Sequence, residues 1–394
     1  MSVLPTRLPM VRRIVLPVTT GLLLCGVAAV PAGAGTDVSA VAAYASITTE
    51  TYATSPVTNT LPSSRSFSTA GGWIDVTRAY SDPVAKIGPY IKLVFHNLAV
   101  GVSGSDPGGV VHVRGASYGT NCNTSNPMTS GVDVIVNVAC WQTYNSAQVF
   151  TPFTVNYTRG ITESGGLATA RADGFMPVGQ VVTPVTQTNS AAGKITVMHN
   201  TTGRYTVDVS GPGAGGTPAL TGVGGGNSRC GMLNLGTSVG SAIRFFVQCV
   251  NASTGLDKDA HFNFTYAVGT NLLGEYHQVS ASYGYIPATA FPSFGDQPAL
   301  IQFDRIYGDK AGKVTFDKQS TVDLVRLTFG HQGEGMGNPQ FTITPIGSMA
   351  SCVPWGDPIT FTNAGHVELR LWVQCNTTVG DPPFAFFVQQ WVRQ

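Results

Sequence analysis

The chain has 394 residues, of which 43% are hydrophobic and only 11% charged, with 22 basic against 21 acidic side chains. A formal charge of +1 provides no field that would draw in a nucleic-acid backbone or an anionic lipid surface, which excludes nucleic acid as the natural partner class. Length and apolar content are those of a folded chain of several domains, not of a disordered one.

The first element reads as an export signal. Arg7, Arg12 and Arg13 form a positive head, Ile14 to Val30 is largely apolar, and Ala32-Gly33-Ala34 supplies the small residues a signal peptidase accepts, so residues 1–34 are expected to be removed after Ala34. The other reading of the segment is an uncleaved span, against which stand Pro17, Thr19 and Thr20. Cys25 follows Leu22-Leu23-Leu24, not the small residue that precedes a lipid-modified cysteine. No later run approaches 18 consecutive apolar residues, so no stable membrane span is expected once the signal is gone.

The elements that follow come in three matching sets. "GGWIDV" from Gly71, "AGKITV" from Ala192 and "AGKVTF" from Ala311 start at spacings of 121 and 119 residues. Each is followed by an alternating run, "PYIKLVF" from Pro89, "RYTVDV" from Arg204 and "TVDLVRLTF" from Thr321. A Gly/Ser turn then leads into Cys122, Cys230 or Cys352, and a second alternating run closes on Cys140 ("DVIVNVAC"), Cys249 ("AIRFFVQC") or Cys375 ("ELRLWVQC"). An aromatic strand ends each set, with Phe153 and Tyr157, Phe262 and Phe264, or Phe384 and Phe386. Period-2 alternation, Val, Thr and aromatic enrichment and frequent Gly/Pro/Asn punctuation predict an all-β chain. We expect three tandem β-sandwich or Greek-key barrel modules of seven or eight strands, at about 40–160, 165–270 and 278–394, following one another as separate beads.

Removal of the signal leaves six cysteines, and an even number in an exported chain reads as disulfides. Each set has one early and one late member, so position in the repeat pairs Cys122 with Cys140, Cys230 with Cys249 and Cys352 with Cys375. A zinc site would need Cys-x-x-Cys or accompanying histidines at ligand spacing, and the sequence has neither.

The order of a strand at Gly193 to Val197, another at Gly203 to Val207, a Gly-rich run into Cys230 and an alternating strand into Cys249 resembles repeats of uncharacterised secreted proteins of high-GC Gram-positive bacteria. The resemblance implies export and modularity and brings no catalytic residue with it.

Chemistry-bearing patterns are sparse. "GPGAGG" at Gly211 to Gly216 matches a dinucleotide-binding G-x-G-x-x-G, but Pro212 and the Gly-rich sequence behind it cannot open the helix that this use requires, so an inter-strand loop is expected and no cofactor. His96, His112, His199, His261, His277, His331 and His366 are scattered singly and read as surface or edge residues. The carboxylates weighed for glycoside hydrolysis, Asp257 with Asp259 and Glu334, read as loop residues, and Asp304, Asp309 and Asp317 lack the ligand spacing of a calcium loop. Trp141 and Trp355 flank two of the expected bridges, where they either pack on the sulfurs or offer a stacking face to a sugar ring. Asn-x-Ser/Thr triplets begin at Asn123, Asn156, Asn200, Asn251, Asn263 and Asn376 and are expected to be strand and turn residues without glycan. Repetition without a repeated polar site leads us to expect a secreted, non-catalytic protein that binds an extracellular ligand, a carbohydrate or a surface protein, or that builds the cell surface. The alternative is an extracellular hydrolase with its site in one diverged module or between modules.

Overall fold

The computed structural model describes residues 41–48, 58–63, 65–82, 84–85, 87–117, 119–160, 166–224, 226–234, 236–269, 279–286, 297–298, 302–305, 314–318, 324–330, 340–346, 351–354, 359–363, 366–376 and 385–393. The expected signal segment 1–34 lies outside them. All the regular structure among these residues is β. The first stretch of chain forms β1 (Val41–Ile47), β2 (Thr58–Thr60), β3 (Ser66–Ser68), β4 (Ile74–Asp82), β5 (Ile87–Phe95), β6 (Val110–Gly115), β7 (Thr120–Thr124), β8 (Met128–Ser130), β9 (Asp133–Gln142), β10 (Gln148–Val149) and β11 (Phe153–Arg159). The second forms β12 (Gly166–Ala172), β13 (Val181–Val182), β14 (Gln187–Asn189), β15 (Ile195–Thr201), β16 (Arg204–Ser210), β17 (Thr217–Val223), β18 (Ser228–Met232), β19 (Thr237–Val239), β20 (Ala242–Asn251) and β21 (His261–Val268). The third forms β22 (Val279–Ile286), β23 (Gln297–Pro298), β24 (Gln302–Arg305), β25 (Val314–Lys318), β26 (Leu324–Phe329), β27 (Gln340–Ile346), β28 (Ser351–Pro354), β29 (Ile359–Asn363), β30 (His366–Asn376) and β31 (Ala385–Arg393).

Strand order shows why the sequence sets recur. Five strands run β2-β4-β5-β9-β7, then β13-β15-β16-β20-β18, then β23-β25-β26-β30-β28; facing them are the four-strand orders β3-β1-β11-β6, β14-β12-β21-β17 and β24-β22-β31-β27. The repeated "GGWIDV", "AGKITV" and "AGKVTF" enter the second place of each five-strand order, as β4, β15 and β25. Two of their glycines are fixed by close approach, since a Cβ on Gly72 would stand 1.9 Å from the His96 carbonyl oxygen and one on Gly193 would stand 1.9 Å from that of Ser210. The surplus over the seven or eight strands expected consists mainly of two- and three-residue pieces such as β2, β8, β10 and β19, too short to alternate visibly.

Alternation makes the interiors. On β9 the side chains of Val134, Val136, Val138 and Cys140 are buried; on β20 those of Ile243, Phe245, Val247 and Cys249; and on β30 those of Leu369, Leu371, Val373 and Cys375. Three apolar clusters result, one drawn from residues 41–157, one from 168–266 with Ile346 added, and one from 314–375. Each cysteine pair lies directly opposite in adjacent antiparallel strands, with Cα atoms 4.0, 4.0 and 3.9 Å apart, and forms the bridges Cys122–Cys140, Cys230–Cys249 and Cys352–Cys375. Those bridges place the chain in an oxidising, non-cytoplasmic compartment. Among the described residues no helix is long and apolar enough to cross a membrane.

The stretches are not separate beads, and residues 37–394 form one compact unit. Val223 of β17 pairs in parallel with Thr124 of β7, and Met232 of β18 pairs in parallel with Ile346 of β27, so a five-strand edge of one stretch continues into a four-strand edge of the next. Polar side chains knit the first seam. Asn263 Nδ2 donates to the Val111 carbonyl at 2.6 Å, Asn123 Nδ2 to that of Gly226 at 2.6 Å, and Asn121 Nδ2 to that of Ser228 at 2.9 Å. His112, only 2% exposed, lies 3.2 Å from Thr221 Oγ1 through Nδ1 and 2.7 Å from Thr265 Oγ1 through Nε2. Repetition along the sequence does not mark these contacts, because His112 and Asn263 stand where the sets differ.

Candidate binding cleft beside the first seam

A cleft of about 660 Å³ lies where the loop after β5 meets the second stretch. Its polar wall is built from both stretches. Arg171, near the end of β12, donates through Nη2 to both oxygens of Asp106, one of them at 2.6 Å, and to Thr186 Oγ1 at 2.5 Å. Burying most of the Arg171 side chain requires these acceptors, yet its Nε, also closed off, has no partner. Further along, Asp173 Oδ1 stands 3.1 Å from His261 Nδ1 and accepts the backbone N–H of Phe175 at 2.9 Å. That turn pushes Phe175 outward, 63% exposed, with the edge of its ring against His261 at a centroid distance of 4.7 Å. Val182, Val185 and Met176 add an apolar floor and rim. An aromatic face beside the Arg171–Asp106 pair suits a ligand with both apolar faces and hydroxyl or carbonyl groups.

The residues weighed from sequence lie elsewhere. Trp141 is 5% exposed on β9, opposite Asn121 and Gln148, so of its two readings burial leaves packing beside Cys140, not a sugar platform. Trp355, Glu334, Asp309, His277 and His331 lie outside the described residues. Asp257 and Asp259 do not face one bond. Asp257 holds Arg204 Nε at 2.9 Å and Gln248, contacts that keep its carboxyl below the usual range against the opposing effect of burial. Asp259 accepts from the Gly203 N–H at 2.6 Å and lies 3.1 Å from His199 Nε2, whose Nδ1 is 2.6 Å from the Met176 carbonyl. Asp317 is taken by Arg326 at 3.1 Å. "GPGAGG" spans the turn between β16 and β17. No group of three or more His, Cys, Asp or Glu among the described residues is disposed to hold a metal.

His112 and His199 correct the expectation of surface or edge histidines, for both are buried and both brace backbone or hydroxyl groups. Asn123, Asn156 and Asn263 are buried as well, which closes those triplets to glycan.

Sequence reasoning passed over the exposed aromatics. Phe175 sits in "ADGFMP", a turn with no counterpart among the aligned runs. Trp73 is 52% exposed and stacks on His96 at 4.3 Å, while His96 reaches Asp75 and Asp133, each at 3.0 Å. Its signal was a departure from the repeat, since "AGKITV" and "AGKVTF" carry Lys194 and Lys313 at that place. No protein-family model, curated protein or solved structure matches the chain.

Proposed function

We propose that the chain is an exported protein of three tandem β-sandwich modules, at about 40–160, 165–270 and 278–394, that binds an extracellular ligand and performs no catalysis. The resemblance to secreted repeat proteins of high-GC Gram-positive bacteria supports export, as do the three bridges. The observation that carries the binding role is the cleft at the first seam, where exposed Phe175 shares the wall with the Arg171–Asp106 pair. Of its two carboxylates, Asp106 is held by Arg171, and Asp173 accepts the Phe175 N–H and stands 3.1 Å from His261 Nδ1. Glycoside hydrolysis needs two carboxyl groups free to act on one bond, and the pairing of Asp106 with Arg171 leaves only Asp173 free. A carbohydrate fits the surface best, with a sugar ring on Phe175 and its hydroxyls toward Arg171 and Asp106.

The test is a glycan array probed with the oxidised chain and with Phe175→Ala, run beside a hydrolase screen on the same glycans. Retention of one glycan class that Phe175→Ala loses supports the reading. Turnover of any glycan overturns the non-catalytic part, and binding unchanged by Phe175→Ala overturns the placement of the site.

A further inference from the structure

A second, smaller cavity, of about 30 Å³, lies where all three stretches of chain come together. Its walls include Arg114 of β6, Asn121 and Asn123 of β7, Thr221 of β17, Arg229 of β18 and Val353 of β28. Arg229 is 7% exposed, and both its Nε and its Nη2 are closed to solvent with no hydrogen-bond partner. Arg114 is half-buried as a residue, but the same two nitrogens are shut away and equally unpartnered. No carboxylate lines the cavity. Asn121 and Asn123 turn their N–H groups to the Ser228 and Gly226 carbonyls, and no acceptor reaches Nε or Nη2 of either arginine.

Two guanidinium groups lining one void without a counter-charge would be a costly arrangement. Burial, and after it the charge of Arg229, pushes the Arg114 guanidinium down to about 9; burial pushes Arg229 down to about 10. Nε and Nη2 form one edge of a guanidinium, the edge that grips an oxyanion with two parallel N–H bonds. In both arginines that edge is without a partner. Since a water needs roughly 10–15 Å³ of such space, the void has room for a body of about two waters, which a tetrahedral ion fills and a sugar phosphate overfills.

We propose that Arg114 and Arg229 form a buried site for one small inorganic oxyanion, sulfate or phosphate, which neutralises the meeting point of the three stretches. The ion acts as an electrostatic rivet. Arg114 and Thr221 bring the first and second stretches to it, and Val353 of the third closes one wall.

The experiment is thermal unfolding of the full oxidised chain in sodium sulfate, sodium phosphate or sodium chloride at matched ionic strength, for the unaltered chain, Arg114→Met and Arg229→Met. Sulfate or phosphate should raise the midpoint of the unaltered chain along a saturating curve. Each Met variant should lose at least tenfold in apparent ion affinity, and in chloride should unfold no lower than the unaltered chain, because a buried unpaired charge has been replaced by an apolar side chain of similar length. A rise that never saturates and is equal in all three proteins is general salt exclusion and overturns the site. Chloride acting as well as sulfate overturns the oxyanion assignment. Should Arg229→Met not fold, Arg229→Lys takes its place, and crystals grown in selenate supply the direct measurement: an anomalous peak between the two guanidinium groups supports the proposal and its absence overturns it.

Discussion

The two faces of β6 obey different rules. Val111 and Val113 point inward, buried in the first apolar cluster, and could be exchanged in kind with the residues at matching places in the other sets. His112 and Arg114, on the opposite face, meet the second stretch through Thr221, Thr265 and the small cavity, and nothing matching them stands on β17 or β27. The inward face repeats because every sandwich needs an apolar filling. The outward face differs because each seam has its own neighbour. Stability and assembly are therefore written in different residues of one strand, and substitutions can separate them.

The largest effect should come from the interior. Phe245 is fully buried between Phe264 and Tyr266, and Phe245→Ala should cost about 3–5 kcal/mol, read as a lower urea midpoint of the oxidised chain. A loss below about 1 kcal/mol would mean that the interior collapses around the gap, and the contrast between the two faces would fail. Next comes the covalent tie of the same core. Replacing Cys230 and Cys249 together by Ser should remove about 3 kcal/mol in the chain-entropy account, and non-reducing peptide mapping should recover the three links with no exchange between stretches.

The seam gives a smaller, pH-dependent effect. Val113 N–H donates to Thr221 Oγ1, and the His112 ring spans Thr221 Oγ1 at Nδ1 and Thr265 Oγ1 at Nε2, so the neutral ring donates to one hydroxyl and accepts from the other. Burial pushes His112 down to about 3, while the same side chain in an unfolded chain takes a proton near 6.5. Between those values the unfolded state binds more protons than the folded one. The contribution is complete above about pH 6.5 and falls as pH drops toward 3, by a few kcal/mol at most. Asp75 and Asp257, both held below the carboxylate range, lose stability at lower pH than this window begins. The measurement is therefore a difference: unfolding midpoints of the unaltered chain minus those of His112→Gln, from pH 7 to pH 4. A flat difference would show that His112 is not held neutral.

What could be read in the sequence follows the same division. Val138, Val247 and Val373 two places before their cysteines announced the strands, the buried faces and the pairing of bridges, because alternation and repetition both act along the chain. Asn263 reaching Val111, or Arg114 facing Arg229, depends on sheet edges that join across well over a hundred residues, and no local period encodes that. The cleft was hidden for a further reason. Phe175 lies on a turn that no repeat marks, whereas Trp141, which the repeat does mark beside its cysteine, is packing.

The smallest effect expected is at an exposed pair that imitates a seam contact. Arg204 and Asp257 meet at 2.9 Å, but the two side chains are 49% and 33% exposed, so water and salt screen them. Arg204→Ala leaves Asp257 still bound to Gln248, and its backbone still tied through the bridge to Val250. The loss should stay within about 1 kcal/mol and shrink further as salt is added. One residue away the backbone sets a different scale: Gly203 has φ of 67° and its Cβ position lies 2.4 Å from the Cys249 carbonyl oxygen, so Gly203→Ala must displace the strand that carries the bridge. Chemical denaturation of the two variants side by side should give a clearly larger loss for Gly203→Ala. Equal losses would show that the turn is held by its charges, and that the distinction between a filled interior and a merely decorated surface does not extend to this end of β16.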